Sequence, residues 1–302
     1  PNQGWTSPEV VGAFTIGAVF LVAFAAWERH TPRPMLDLRI FKNPRFSAAS
    51  ATITLTQFAM FGSTFLLTQY FQFRLGYSPL ESGIMLMPVA IGLMVASPNA
   101  PRLVYRFGTT RVVVIGLLAV GASTACYTSD VLMSSFVLGF LIRLVYGVGM
   151  GVTMAPVTDS IMGALPPARA GVGSAINDTT RQTGGALGVA VLGSIFAFRY
   201  HNAIATTVGV SQKVLHKAHD SIGVSLDVAH SVGGATGARL VAAAQEAFVS
   251  SMRVTFAVAA VVIVFAACVA ARFLPPRAID VVHDVSEDDI VQSLVVGVET
   301  AT

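Results

Sequence analysis

Charge is what this sequence has least of. Only 12% of its 302 residues are charged, against about 25% in soluble domains. With 54% hydrophobic residues and a mean hydropathy of +0.68, a fold in water would expose more apolar surface than a soluble chain tolerates. The formal net charge of +3 is small and dispersed, so nucleic acid is excluded as a partner. Cysteine is nearly absent. Cys126 and Cys268 fall in separate apolar runs and read as small core hydrophobes, not as a disulfide or metal pair. His216, His219, His230 and His283 match no metal-ligand spacing, so no metal is expected. No G-x-x-x-x-G-K-[ST] loop occurs, which removes nucleotide as an energy source. No covalent chemistry is implied, and the chain reads as something other than an enzyme. It starts at Pro1 without a basic, short-cored signal segment. PNQGWTSPEV reads as a turn between helices, so the chain is expected to be a piece of something longer.

What is present is apolar sequence in long runs. A bilayer core takes about 20 mostly apolar residues per helix. Seven stretches qualify, near residues 8–27, 46–71, 80–98, 112–128, 131–157, 172–198 and 248–273. They predict an all-α polytopic membrane protein, with the lipid bilayer as its first partner. Arg29, Arg33, Arg39, Lys42 and Arg45 crowd the connection after the first span. Arg102, Arg106 and Arg111 follow the third, Arg169 the fifth, and Arg272 and Arg277 the seventh. The alternate connections hold little beyond Arg74 and Asp130. Basic loops stay cytoplasmic, so the Pro1 end is expected outside the cell membrane and the C-terminus inside. The excursion 199–247 then lies outside. It is expected to hold a short amphipathic helix, followed by a flexible turn in SVGGATGARL. The acidic tail 275–302 reads as loosely ordered.

Three places carry polar chemistry inside these runs. Arg143 stands in IRLVYGVGMG, about 18 Å from the expected outer end of its span. Such depth costs a charge at least ~2.5–3.5 kcal/mol, so it should face a partner, a carbonyl or a water-filled cavity. Gly147 and Gly151 share its stripe, with Gly149 beside them; small residues at this spacing let another helix approach closely. Asp178 and Arg181 stand three apart in span six, on one face, and can neutralise each other. Such a pair is either a proton-linked switch or a static ion pair. Gln182 adds a hydrogen-bonding group, and Gly184, Gly185 and Gly188 continue the stripe. Gln69, Tyr70 and Gln72 close span two with Phe65 and Phe71, and Met85, Met87 and Met94 stand in span three. These line either a cavity for a flat or cationic compound or an ordinary interfacial belt.

Taken together the motifs resemble the C-terminal half of the fourteen-helix, proton-coupled multidrug exporters of the major facilitator superfamily. The likeness runs from GWTSP near Trp5 to the end of span seven. It is carried by WERHTPRPMLDLRIFKNPRF, by QFRLGYSPLESGIMLMP, and by RLVYGVGMG, which looks like the R-x-x-x-G-x-G motif. AGVGSAINDTTRQTGGALGVA is the most family-specific stretch. The resemblance implies one linker helix and a basic loop in 1–45, a six-helix transporter bundle in 46–274, and a cytoplasmic tail in 275–302. In PRLVYRFGTTR, Leu103, Arg106, Gly108 and Arg111 keep the character of the superfamily's G-x-L-x-D-R-x-G-R-R loop. Pro101, Tyr105 and Thr109 depart from it. The implied activity is export of small lipophilic or cationic compounds in exchange for protons, with no cofactor beyond the proton gradient. Arg143 would sit in the central cavity and serve proton coupling, and Arg181 and Gln182 would lie on a helix surface that rearranges. The partner would be the N-terminal half of the same transporter. Export of one dedicated metabolite, lipid or siderophore remains open, as does a non-transporting membrane module.

Overall fold

The computed structural model describes residues 7–31, 38–165, 170–205 and 221–274. Among these residues every regular element is helical, and seven helices are long and apolar enough to cross a membrane. The first, α1 (Pro8–His30), starts where the Ser7 side chain accepts the Val10 N–H and Pro8 takes the first turn. It packs chiefly on the 3₁₀ turn Leu38–Lys42. Its apolar side chains, Phe20, Leu21 and Trp27 among them, are exposed.

The remaining spans form one bundle. They are α2 (Pro44–Gln69), α3 (Pro79–Ala96), α5 (Thr109–Cys126) and α7 (Phe136–Met162). The short α4 (Ala100–Phe107) and α6 (Asp130–Ser134) lie between them, and α8 (Ala170–Ala205) follows. Then come α9 (Ile222–Val232) and α10 (Gly234–Phe273). Neighbours run α3–α7–α5–α10–α8–α2, and α2 also meets α7 and α10. α2, α7 and α10 therefore enclose the core, where Leu66, Met150, Phe248 and Phe256 are fully buried.

Four expectations are corrected. Span five does not begin at Val131: Ser135 is extended (φ −73°, ψ 120°), so α6 ends there and α7 starts at Phe136. The basic connection PRLVYRFGTTR is largely helical, and its turn is confined to Gly108, whose φ of +87° suits glycine. The excursion expected outside the membrane is shorter than composition suggested. α8 runs on to Ala205 and α10 begins at Gly234, so the flexible turn shrinks to Gly233 and Gly234, at φ +63° and +59°. Alanine-rich sequence such as GARLVAAAQEAF favours continued helix. The expected short helix is α9; residues 206–220 and the tail 275–302 lie outside the described residues. At ~1.5 Å per residue, the 36 residues of α8 and 40 of α10 span about 54 and 60 Å. Both outrun a ~30 Å hydrocarbon core. They project at the same end of the bundle, where α9 packs on α10.

Candidate functional site: a buried arginine beside a π turn

Arg143 is 2% exposed. The rise from Phe136 to Arg143 is about 10 Å, so it lies nearer the helix start than the sequence suggested. The reason is the break at Ser135. Gly139, one turn earlier, leaves room for it: a methyl there would lie 3.0 Å from Arg143 Nη1 and 3.3 Å from the Met133 carbonyl. The guanidinium thus curls back toward the junction of α6 and α7. Its Cζ lies 5.1 Å from the centre of the Phe71 ring, a cation–π contact. Nη2 lies 3.9 Å from Met85 Sδ. Nε and Nη1 are buried without a hydrogen-bond partner, and among the described residues no carboxylate pairs with it.

Phe71 owes its position to a local irregularity. After Gln69 the helix widens into a π turn, Tyr70–Arg74, in which Leu75 N–H donates to the Tyr70 carbonyl at 3.2 Å. Such turns recur at functional sites because they re-aim side chains. Tyr77 fastens the turn from the far side. Its N–H donates to the Phe71 carbonyl at 2.9 Å, and its ring stacks on Phe71 at 6.4 Å. The first and last residues of the turn meet a single carboxylate on α6. Tyr70 donates its hydroxyl to Asp130 Oδ1 at 2.7 Å, and Arg74 Nη2 pairs with Oδ2 at 3.0 Å. Arg74 Nη1 reaches Gln245 on α10 at 3.5 Å, and Arg253 Nε donates to the Thr128 carbonyl at 3.3 Å.

The sequence singles out Arg143 and Tyr70 and offers Phe71 and Met85 as candidate cavity-lining groups, but gives no role to Asp130. By sequence Asp130 reads as a loop residue; the signal available was that it and Arg74 are the main charges of the otherwise uncharged short alternate connections. The other expected residues fall elsewhere. Gln69, just before the turn, and Gln72, within it, are half-buried, while Met87 is exposed and Met85 faces the arginine in its place. Among the described residues Asp178 and Arg181 form no ion pair. α8 turns Ile176, Asn177, Gly184 and Gly188 inward, so Asp178 and Gln182 are exposed and Arg181 is half-buried. The glycines sit at close helix crossings. A methyl at Gly147 would fall on the Val89 carbonyl, one at Gly188 on that of Phe58, and one at Gly184 on that of Thr54. Gly151 meets α3 at Leu93 and Ala96, Gly149 meets α5 at Gly116, and Gly185 meets the Phe61 ring. In the basic connection Arg106 and Arg111 are exposed and Leu103 is half-buried.

A family model described as Major Facilitator Superfamily matches residues 3–189. The chain belongs to that superfamily. With seven apolar helices it is a multi-pass membrane protein. This superfamily chain is 28% identical over 266 residues to the multidrug efflux pump LfrA of Mycolicibacterium smegmatis, covering 87% of this chain and 52% of that protein. It is 32% identical over 199 residues to the multidrug resistance protein Stp of Mycobacterium tuberculosis, covering 65% and 36%. To the tetracenomycin C resistance and export protein of Streptomyces glaucescens it is 28% identical over 278 residues, covering 89% and 52%. Among solved structures, a bacterial homolog of the human lysosomal transporter Spinster, inward-facing and unoccupied, aligns with a TM-score of 0.56 at 17% identity. That alignment covers 80% of this chain and 52% of the other, a likeness of fold. The chain thus spans about half the length of these relatives or less.

Proposed function

We propose that this chain is the C-terminal half of a fourteen-helix exporter that exchanges protons for small lipophilic, often cationic compounds. The observation that carries the reading is Arg143, a buried cation with two unmet donors and no acid beside it among the described residues. Intramembrane charges of this kind mark transport pathways. In this reading α1 is a linking helix, and residues 46–274 form the six-helix bundle that rocks against a first half to alternate access. The Pro1 end lies outside, the C-terminus lies in the cytoplasm, and α9 with the projecting ends of α8 and α10 is external. Asp178, Arg181 and Gln182 face the partner bundle or the water-filled path between halves, since lipid would not tolerate them. The similarity to proteins named for multidrug efflux supports the substrate class.

The test uses the full gene product carrying this segment, reconstituted in proteoliposomes. An imposed proton gradient should drive ethidium export, and Arg143→Ala should abolish that flux while the protein still inserts. Unchanged flux in Arg143→Ala would remove the mechanism. A second reading, export of one dedicated compound, is favoured by the relative named for tetracenomycin C. Competition by chemically unrelated dyes separates the two: a polyspecific exporter is inhibited by many, a dedicated one by none.

A further inference from the structure

The geometry points to Asp130 as a positioning residue for Arg143, acting as a clasp on the π turn that carries Phe71. This rests on the transport reading only in that Arg143 is taken as the working group; the placement itself is structural.

The clasp has three observations behind it. Asp130 uses both carboxylate oxygens, one on Tyr70 and one on Arg74. Those two residues begin and end the π turn, so one side chain closes the segment in which Phe71 is the second residue. The Phe71 ring, in turn, is the flat surface under the Arg143 guanidinium, 5.1 Å away. A π turn replaces regular α-helical bonds with wider i→i+5 ones and is held by its surroundings, not by its own bonding. If the carboxylate is lost, Tyr70 and Arg74 lose a common acceptor, and the turn is free to revert toward regular helix. Reversion rotates Phe71 about the helix axis and takes its face away from Arg143. Asp130 also begins α6, whose Met133 carbonyl borders the same space as Arg143 Nη1. The clasp therefore joins α2, α6 and, through Arg74 and Gln245, α10 at the end of the bundle where Arg143 points.

Among the described residues the charged and titratable groups facing Asp130 are Tyr70 and Arg74, from the π turn that follows α2. Arg253 of α10 holds the neighbouring Thr128 carbonyl. The carboxylate makes no hydrogen bond or ion pair with Arg143, which is what separates a positioning role from a direct one.

Two measurements test it. In the full gene product reconstituted in nanodiscs, with Trp5, Trp27 and any further native tryptophan replaced by Phe, the reporter is Phe71→Trp, whose ring keeps the cation–π face. Adding Asp130→Asn should shift the emission maximum, and Asp130→Glu should restore it. In proteoliposomes the full gene product carrying Asp130→Asn should lose about tenfold in maximal ethidium export rate, the scale of one lost charge-assisted hydrogen-bond pair. KM should stay within about twofold, because ethidium does not touch the clasp. Asp130→Glu should regain most of the rate. An emission maximum unmoved by Asp130→Asn overturns the proposal, whatever the rate does. So does an emission shift with an unchanged rate. If Asp130→Asn fails to fold, Tyr70→Phe and Arg74→Gln each remove one arm and are judged the same way. A wild-type protein that exports no ethidium sinks the proposed function alone, and the emission result then decides the clasp by itself.

Discussion

Arg143→Met should make the folded bundle more stable while destroying its transport. The side chain is 2% exposed, with Nε and Nη1 unmet and no acid partner among the described residues. Its burial therefore carries a charge penalty of ~2.5–3.5 kcal/mol on insertion scales. Against this stands the contact with Phe71, worth ~0.5–2 kcal/mol for a desolvated cation–π pair. Methionine lacks three of arginine's heavy atoms, and the space left, about 25 Å³, costs roughly 0.6 kcal/mol at the usual cavity rate. The difference is a net stabilisation of about 1 kcal/mol for the neutral variant. Unfolding of the reconstituted chain should move up by ~2–4 °C, the scale for chains of this size. Ethidium export by the full gene product should be lost in the same variant. A destabilisation of ~2 kcal/mol or more would refute the reasoning, because it is the signature of breaking a satisfied buried pair. Arg143 would then be a structural ion with an acceptor, not a functional charge held at the expense of stability.

The glycine crossings give a contrast of position. Gly188→Ala places a methyl on the Phe58 carbonyl and should cost ~1–3 kcal/mol through forced separation of α2 and α8, whereas Gly12→Ala in α1 meets nothing within 4 Å and should leave the melting point unchanged or slightly raised. Equal melting points for the two variants would argue against the packing of α2 on α8. Tyr200→Phe removes the 2.7 Å bond between the Tyr200 hydroxyl and Ser225 Oγ, both buried. It should cost ~1 kcal/mol and speed amide exchange in α9 while α3 is unaffected.

Much of the fold was legible because hydropathy is a local property. Each span announces itself as an apolar run, whatever its neighbours are, and all seven appear as helices. The close approaches at Gly147 and Gly188 were legible for a similar reason: only small residues at helical spacing allow backbones to meet. Helix ends were read less well. Ser135 breaks span five, while α10 begins at Gly234, well before the apolar run; the continuing helix is amphipathic and alanine-rich, which hydropathy alone does not register. The polar pairing was misread most. Asp178 and Arg181 are close in sequence and unpaired in space, whereas Arg74 and Asp130 are far apart in sequence and joined at 3.0 Å.

Sequence by itself determined that this chain lives in a membrane, that it holds seven stretches long and apolar enough to cross one, and that Arg143 had to be shielded from lipid. Those conclusions follow from transfer free energies that belong to residues one at a time. Only the tertiary structure decided which ring lies under the guanidinium, which carboxylate closes the π turn, and that no acid among the described residues pairs with Arg143. Ion pairs and cation–π contacts act over a few ångströms, and three-residue spacing on a helix permits such contact without compelling it. The packing of α2, α6 and α7 settled which permitted contacts exist.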